Sequence, residues 1–212
     1  MKKIKLFMVS VFLISTFQYV NAQDGKLRLG VKGGITFSNL YTDNVADENI
    51  LVGFNAGFFA KLPITNFIAI QPELYYTTKG SELVYNNTFV TGTAKFNLNY
   101  VEVPVLVVVN LGKHFNVHGG PYVGYLIKGK IVNDSSLNIF DFENSINEDE
   151  FNKLDAGIAL GIGADIERLS FGIRYNYGLT TVGKLQDYNG TEYNFPDGKN
   201  SVLNVYLGIA LN

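Results

Sequence analysis

The strongest constraint on this chain is a two-residue alternation of apolar and polar side chains that recurs about eight times along 212 residues. In the segment 152–166, one face carries leucine, isoleucine and alanine, and the other carries glycine, aspartate and lysine. Successive side chains of a β-strand point to opposite sides of the sheet, so each stretch predicts a strand with one apolar face. The alternating segments lie at about 27–38, 51–61, 67–79, 94–109, 115–130, 152–166, 169–182 and 201–211.

The connections between these segments alternate between short and long. Short turns fall at 63–66, 110–114 and 166–170, and long polar connections at 39–50, 80–93, 131–151 and 183–200. Each segment is at least as long as the roughly 9–11 residues that cross a bilayer at a tilt, and a sheet in hydrocarbon must close because an open edge leaves backbone groups unpaired. We therefore predict an all-β fold, a single eight-stranded antiparallel up-and-down transmembrane β-barrel. The short turns and both termini would face the periplasm.

A soluble, lipocalin-like ligand-binding barrel is the alternative fold, because it uses the same alternation with the apolar face turned inward. Two features favour the membrane. The apolar face is nearly free of charge over about ten residues in several strands, and the charged face is dense in glycine, as a narrow interior requires. The low charged fraction of 17% and the 22 glycines suit the same reading.

The first 22 residues have the pattern of a secretory signal peptide. Lys2, Lys3 and Lys5 precede an apolar run of about a dozen residues, and the small residue Ala22 ends a candidate cleavage site. The run is shorter than the roughly 20 residues of a spanning helix. We expect residues 1–22 to direct export and residues 23–212 to form the barrel domain, located in the cell outer membrane.

Composition excludes several classes of function. The chain has no cysteine, which rules out disulfides and thiolate chemistry, and its net charge of −2 gives no electrostatic basis for binding nucleic acid. The only histidines are His114 and His118, which would lie about 13 Å apart on one strand face and so cannot share a metal ion. No nucleophile lies beside a histidine in a recognisable pattern, so we expect neither an enzyme nor a cofactor.

Charged residues on the polar face form the sharpest candidate site. Because an isolated charge is costly in a low-dielectric interior, these residues are expected to pair across the lumen and fill it. The alternative is a narrow channel for ions or small solutes that opens when the pairs rearrange. The predicted lumen charge network comprises Arg28, Lys32, Glu73, Glu102, Lys128, Asp155, Asp165 and Arg174.

Five segments in order carry a family resemblance: Gly30–Leu40 (GVKGGITFSNL), Gln71–Gly80 (QPELYYTTKG), Leu98–Val105 (LNYVEVPV), Gly120–Tyr125 (GPYVGY) and Arg174–Thr180 (RYNYGLT). Together they resemble the Bacteroidetes outer-membrane β-barrel family called PorT-like. The resemblance covers nearly the whole chain after the signal peptide and implies a small eight-stranded barrel. The family's namesake is linked to protein secretion, a role that the resemblance does not extend to this chain.

These observations favour a non-enzymatic integral outer-membrane protein with a side-chain-filled lumen. An eight-stranded barrel leaves an interior just wide enough for side chains, which disfavours a general diffusion porin. Its outer loops would serve as an envelope scaffold or an interaction surface. The expected partners are outer-membrane lipid and other envelope or secretion proteins, with the barrel itself a monomer.

Overall fold

The computed structural model describes residues 26–41, 48–86, 91–135, 142–145, 151–183, 185–188, 191–194 and 198–212. The signal peptide predicted for residues 1–22 lies outside the described residues. The described residues include no helix with the length and hydropathy of a membrane span.

Eight long strands close into one antiparallel barrel, as the alternation predicts. They are β1 (Arg28–Tyr41), β3 (Leu51–Pro63), β4 (Ile68–Asn86), β5 (Thr91–Leu111), β6 (Phe115–Ser135), β8 (Leu154–Ile166), β9 (Leu169–Thr181) and β12 (Lys199–Ala210). Each strand pairs with the next in this order, and β1 closes the circle by pairing with β12 from Gly30↔Ala210 to Tyr41↔Lys199. Four short strands lie in the connections: β2 (Glu48–Asn49), β7 (Phe142–Ser145), β10 (Leu185–Tyr188) and β11 (Thr191–Asn194).

The apolar face of every barrel strand points outward. On β5, Val103, Val105 and Val107 are between 43% and 46% exposed, whereas the alternating residues Glu102 and Leu106 are almost completely buried. Continuous apolar surface of this kind is rare on soluble monomers but is required where a barrel wall contacts lipid. The lipocalin-like alternative is therefore wrong, because it needs the valines inside.

Exposed aromatic side chains delimit the apolar band. On β6, Phe115 lies at the short-turn edge of the apolar band and Tyr125, in the middle of the strand, lies near its outer edge, and both point outward. Ten residues separate them, which corresponds to about 25 Å along the barrel axis at about 3.3 Å per residue and a tilt of about 40°. That height matches the roughly 25 Å apolar band of outer-membrane barrels, with aromatic girdles at its two edges.

The long connections contain more strand than the sequence predicts. The connection predicted at 80–93 is mostly a continuation of β4 and β5, which stay paired from Gly80↔Asn97 to Asn86↔Thr91. Above the membrane the inward face of the hairpin stays buried, as at Ser81, Phe96 and Leu98. The outward positions are polar, as at Glu82, Lys95 and Asn97, so the apolar alternation ends although the backbone ladder does not. Tyr76 on β4 lies at the level of Tyr125, because both pair with Val101. Asn86 lies ten residues beyond Tyr76, so the hairpin reaches about 25 Å above the outer girdle. The connection at 183–200 likewise contains the hairpin of β10 and β11.

Inward-facing glycines make room for inward-facing tyrosines. A Cβ on Gly157 would lie 2.6 Å from the ring of Tyr122, and a Cβ on Gly172 would lie 2.6 Å from the hydroxyl oxygen of Tyr206. Both contacts are far below van der Waals separation. The glycine-rich polar face thus follows from packing large side chains across a narrow lumen.

Candidate functional site: the filled interior and its two mouths

Ion pairs arranged in three layers fill the barrel interior. Four cationic and four carboxylate side chains take part, so the formal charges of the layers sum to zero. They are Lys32, Lys61, Lys79 and Arg174, with Glu73, Glu102, Asp155 and Asp165. Balanced charge is what a low-dielectric interior demands, because an uncompensated buried charge is strongly destabilising.

The central layer is built around Glu73 on β4, whose side chain is completely buried. Its carboxylate accepts hydrogen bonds from Nζ of Lys32 at 2.8 Å, from Nη1 of Arg174 at 2.5 Å and from Nη2 of Arg174 at 3.1 Å. The amide of Gln71 donates a further bond at 2.7 Å. The ring of Tyr206 lies beneath both cations, with its centroid 4.5 Å from Nζ of Lys32. These bonds connect β4 to β1, which carries Lys32, and to β9, which carries Arg174.

His118 extends the central layer toward the short-turn mouth. Nε of Arg174 donates to Nε2 of His118 at 3.3 Å, so the proton of the neutral ring resides on Nδ1. That nitrogen donates to Oδ1 of Asn116 at 3.1 Å. His118 is a member of the network because its side chain is buried and hydrogen-bonded to both Arg174 and Asn116.

The outer layer is built around Lys79, which is fully buried on β4. Its ammonium group pairs with Asp155 at 2.7 Å and with Glu102, and the amide of Asn176 donates to Glu102 at 2.9 Å. The ring of Tyr122 lies 4.5 Å from the lysine nitrogen. This layer has a formal charge of −1 and the central layer has +1, so the two neighbouring layers compensate each other.

The third layer lies beside the short turns. Nζ of Lys61 donates to Asp165 at 2.7 Å and to Asn110 at 3.1 Å, and Ser170 donates to the other oxygen of Asp165 at 2.6 Å. The amide of Asn116 also donates to Asp165, at 3.2 Å. A continuous polar column therefore runs from this mouth through His118 to the central layer.

The interior has almost no free space between the central and outer layers. The cavity there measures about 10 Å³, which is about the size of one water molecule. At the outer mouth, an apolar cluster closes the lumen above Lys79. It consists of Leu40, Phe96, Leu98, Tyr100, Leu126, Phe151 and Val182. The barrel is thus sealed in its middle and at its outer end.

Six of the eight predicted network residues lie in these layers. Arg28 is half-buried at the short-turn mouth, where its charge acts on Asp165 without a direct ion pair within the described residues. Lys128 is exposed, contrary to its predicted position in the lumen. A β-bulge shifts the register so that Lys128 pairs with the outward-facing Asn99. It lies three residues beyond Tyr125, at the depth of the lipid headgroups.

The network predicted from the sequence does not include Lys61, Lys79 or His118, and the only role that the sequence raises for His118, that of a metal ligand, is rejected on spacing. Strand parity supplies the missing signal, because an even number of positions separates Lys79 from Glu73 and His118 from Tyr122, which places each pair on the same, inward face. Among the described residues, no group of three or more histidine or carboxylate side chains is placed to hold a metal ion. Every carboxylate of the three layers contacts a cation, an arrangement that stabilises structure.

Comparison with solved structures finds similar chains at low sequence identity. Ail, the attachment invasion locus protein of Yersinia pestis, is 13% identical with a TM-score of 0.50, covering 88% of this chain and all of Ail. Neisserial surface protein A is 13% identical with a TM-score of 0.49, covering 87% of this chain and 99% of its own. OprG from Pseudomonas aeruginosa is 11% identical with a TM-score of 0.45, covering 87% of this chain and 95% of OprG.

No curated protein sequence matches this chain. A family model described as outer membrane protein beta-barrel domain matches residues 21–183, which is most of the chain. The outward apolar wall, the girdles about 25 Å apart and the closed sheet are general physical features of outer-membrane barrels. The chain belongs to the outer membrane protein beta-barrel domain family and is an integral outer-membrane barrel protein.

Proposed function

We propose that this protein is a non-enzymatic, non-conducting barrel that anchors its outer hairpins at the cell surface as an envelope scaffold or an interaction module. The occluded interior is the observation that carries the proposal. An ion crossing the lumen would have to separate Glu73 from Lys32 and Arg174 and displace the apolar cluster at the outer mouth. Both steps are costly, since the ion pairs are buried and the cluster excludes water.

The carboxylates do not have the environment of catalytic groups. Glu73 and Glu102 are buried against cations, and the cavity next to Glu102 has no room for a substrate. A catalytic acid or base must reach a substrate proton within hydrogen-bond distance. We therefore assign these residues a structural role.

The extension of β4, β5 and β6 supports an interaction role. These strands have 19, 21 and 21 residues, against the roughly 9–11 that cross the membrane.

We further propose that the chain is a monomer within the PorT-like branch of its family, that residues 1–22 are its signal peptide, and that its partners are outer-membrane lipid and other envelope proteins. The five ordered segments support the branch assignment.

Ion conductance tests the sealed lumen. The mature protein is reconstituted into a planar lipid bilayer, and insertion is verified by the mobility of unheated protein in electrophoresis. We expect no stepwise current. Discrete conductance steps from verified wild-type insertions would contradict the proposal and support the narrow-channel alternative.

Site-specific photo-crosslinking tests the interaction role. A crosslinking amino acid is placed at Asn97, which lies on β5 above the outer girdle, and in a control variant at Val105, which faces lipid. In native envelopes we expect protein adducts from position 97 and only lipid adducts from position 105. A second variant carries the crosslinking amino acid at Asn99, also on β5. If neither position 97 nor position 99 gives a protein adduct, the result would argue against a partner at the extended hairpin.

A further inference from the structure

The mouth at the short turns is open, in contrast to the rest of the lumen. A cavity of about 880 Å³ lies there, bounded by the start of β1, the end of β3, the three short turns and Asn212. Its floor is the third layer, where Lys61 pairs with Asp165. We refer to this cavity as the vestibule. Its volume lies in the range of sites that hold a small organic ligand.

The vestibule is lined by more cations than carboxylates. Its cationic side chains are Lys26, Arg28, Lys61 and Lys113, and its carboxylates are Asp165 and Glu167. Asp165 is engaged by Lys61, Asn116 and Ser170. In the part of the chain that the structure describes, no ion pair joins Lys26, Arg28 or Lys113 to another residue. Three cations therefore face the vestibule without a direct ion pair within the described residues, although Arg28 also acts on Asp165 at longer range.

The unpaired cations come from separate walls. Lys26 and Arg28 stand at the start of β1, and Lys113 stands in the turn between β5 and β6. Two strands, β3 and β4, lie between these positions around the barrel. A ligand that engages both walls needs more than one anionic group. Arginine and lysine bind phosphate through charge-assisted hydrogen bonds, and each phosphate group brings up to two negative charges.

We propose that the vestibule binds an anion carrying at least two phosphate groups, held by Arg28 on one wall and Lys113 on the other. The exposed side of the vestibule opens to the periplasm, an orientation that rests on the proposed placement of the short turns. The phosphate groups come either from a soluble ligand or from headgroups of the inner leaflet. Lys61 and Asp165 form a polar floor that keeps the ligand out of the sealed lumen.

Calorimetric titration of the folded protein in a non-ionic detergent with sodium tripolyphosphate tests the site. We expect saturable binding that weakens as salt is added, since exposed charges are screened. The variants Arg28→Gln and Lys113→Gln each remove one cation that forms no direct ion pair within the described residues. Both leave the direct contacts of Asp165 with Lys61, Asn116 and Ser170 in place. Each is expected to lower the affinity for tripolyphosphate about tenfold, the effect of losing one charge-assisted hydrogen bond.

The matched control is Lys128→Gln, which removes the same charge from the exposed position at the opposite end of the barrel. It is expected to leave the affinity unchanged. Unheated electrophoretic mobility verifies that every variant is folded. The proposal would be overturned if the wild type gave no saturable heat, or if all three variants lost the same affinity for tripolyphosphate. Neither result would bear on whether the lumen conducts ions.

Nanodiscs distinguish the two sources of phosphate. The titration is repeated in discs of phosphatidylcholine alone and in discs that also contain phosphatidylglycerol. Weaker tripolyphosphate binding in the anionic discs identifies lipid headgroups as the occupants, and equal binding identifies a soluble ligand. Either outcome supports an anion site, whereas loss of saturable binding in both kinds of disc contradicts it.

Discussion

Replacing Glu73 with glutamine removes the counter-charge of the central layer. Glutamine keeps the size of the side chain and one accepting oxygen, but an NH2 group takes the place of the other oxygen, and both oxygens of Glu73 accept hydrogen bonds. Lys32 and Arg174 are then left together, both about 95% buried, without a counter-charge in their layer. Breaking a buried pair in this way costs about 3–5 kcal/mol of the free energy of unfolding.

Two other variants calibrate this value. Lys32→Met leaves the two-bond pair between Arg174 and Glu73 intact, so we expect a smaller loss of about 1–2 kcal/mol. Glu82→Gln removes a partly exposed carboxylate that lies 3.7 Å from Lys95, so it should cost less than about 1 kcal/mol. In the double variant Glu73→Gln, Lys32→Met, Arg174 is the only cation left unpaired in the central layer. The double variant should therefore lose less free energy of unfolding than the sum of the two single losses, by at least about 0.5 kcal/mol.

Reversible urea unfolding in lipid vesicles, followed by far-ultraviolet circular dichroism, measures these differences. Circular dichroism suits this protein because the chain has no tryptophan. A loss for Glu73→Gln no larger than that for Glu82→Gln would refute the reasoning. Such a result would mean that Glu73 is solvated or protonated in the folded barrel.

Two further substitutions test the packing of the wall. Val105→Arg places a charge near the middle of the apolar band and should cost about 2–4 kcal/mol in the same assay, whereas Leu211→Arg at the short-turn rim should cost about 0–1 kcal/mol. Equal costs would contradict the assigned depths. Gly163→Ala places a methyl group 2.5 Å from the hydroxyl oxygen of Tyr206, its nearest neighbour, and should cost about 1–3 kcal/mol. The loss should shrink when Tyr206 is also replaced by phenylalanine, and an unchanged loss would show that the clash lies elsewhere.

The barrel and its inside-out polarity could be predicted from the sequence because lipid imposes a simple rule. Each residue of a spanning strand contacts either hydrocarbon or the lumen, so parity assigns the side. The outward valines of β5 and the inward position of Glu102 follow from that rule alone. The rule ends at the membrane boundary, where outward side chains contact water and are polar. For this reason the sequence predicts a loop where the β4–β5 hairpin continues.

The details of the charge network depend on register, which parity alone does not define. One bulge at Lys128 turns a residue from the lumen to the surface, and no local feature of the sequence marks that bulge. Lys79 was missed because it ends the segment in which alternation is visible. The pairing of Lys79 with Asp155 joins residues from β4 and β8, which are not neighbours in the sheet. Such contacts become visible only once the barrel is closed.

The most direct test of the barrel's polarity compares tryptophans at one depth on the two sides of the wall. Val105 faces outward on β5, and Tyr122 faces inward on β6 opposite Pro104, the neighbour of Val105. Each is replaced by tryptophan in a chain that has none, and the protein is reconstituted into vesicles containing brominated lipid. Fluorescence should be strongly quenched for Val105→Trp and nearly unaffected for Tyr122→Trp. The reverse order would show that the valines lie inside, and it would contradict a lipid-facing apolar wall around a charged, filled lumen.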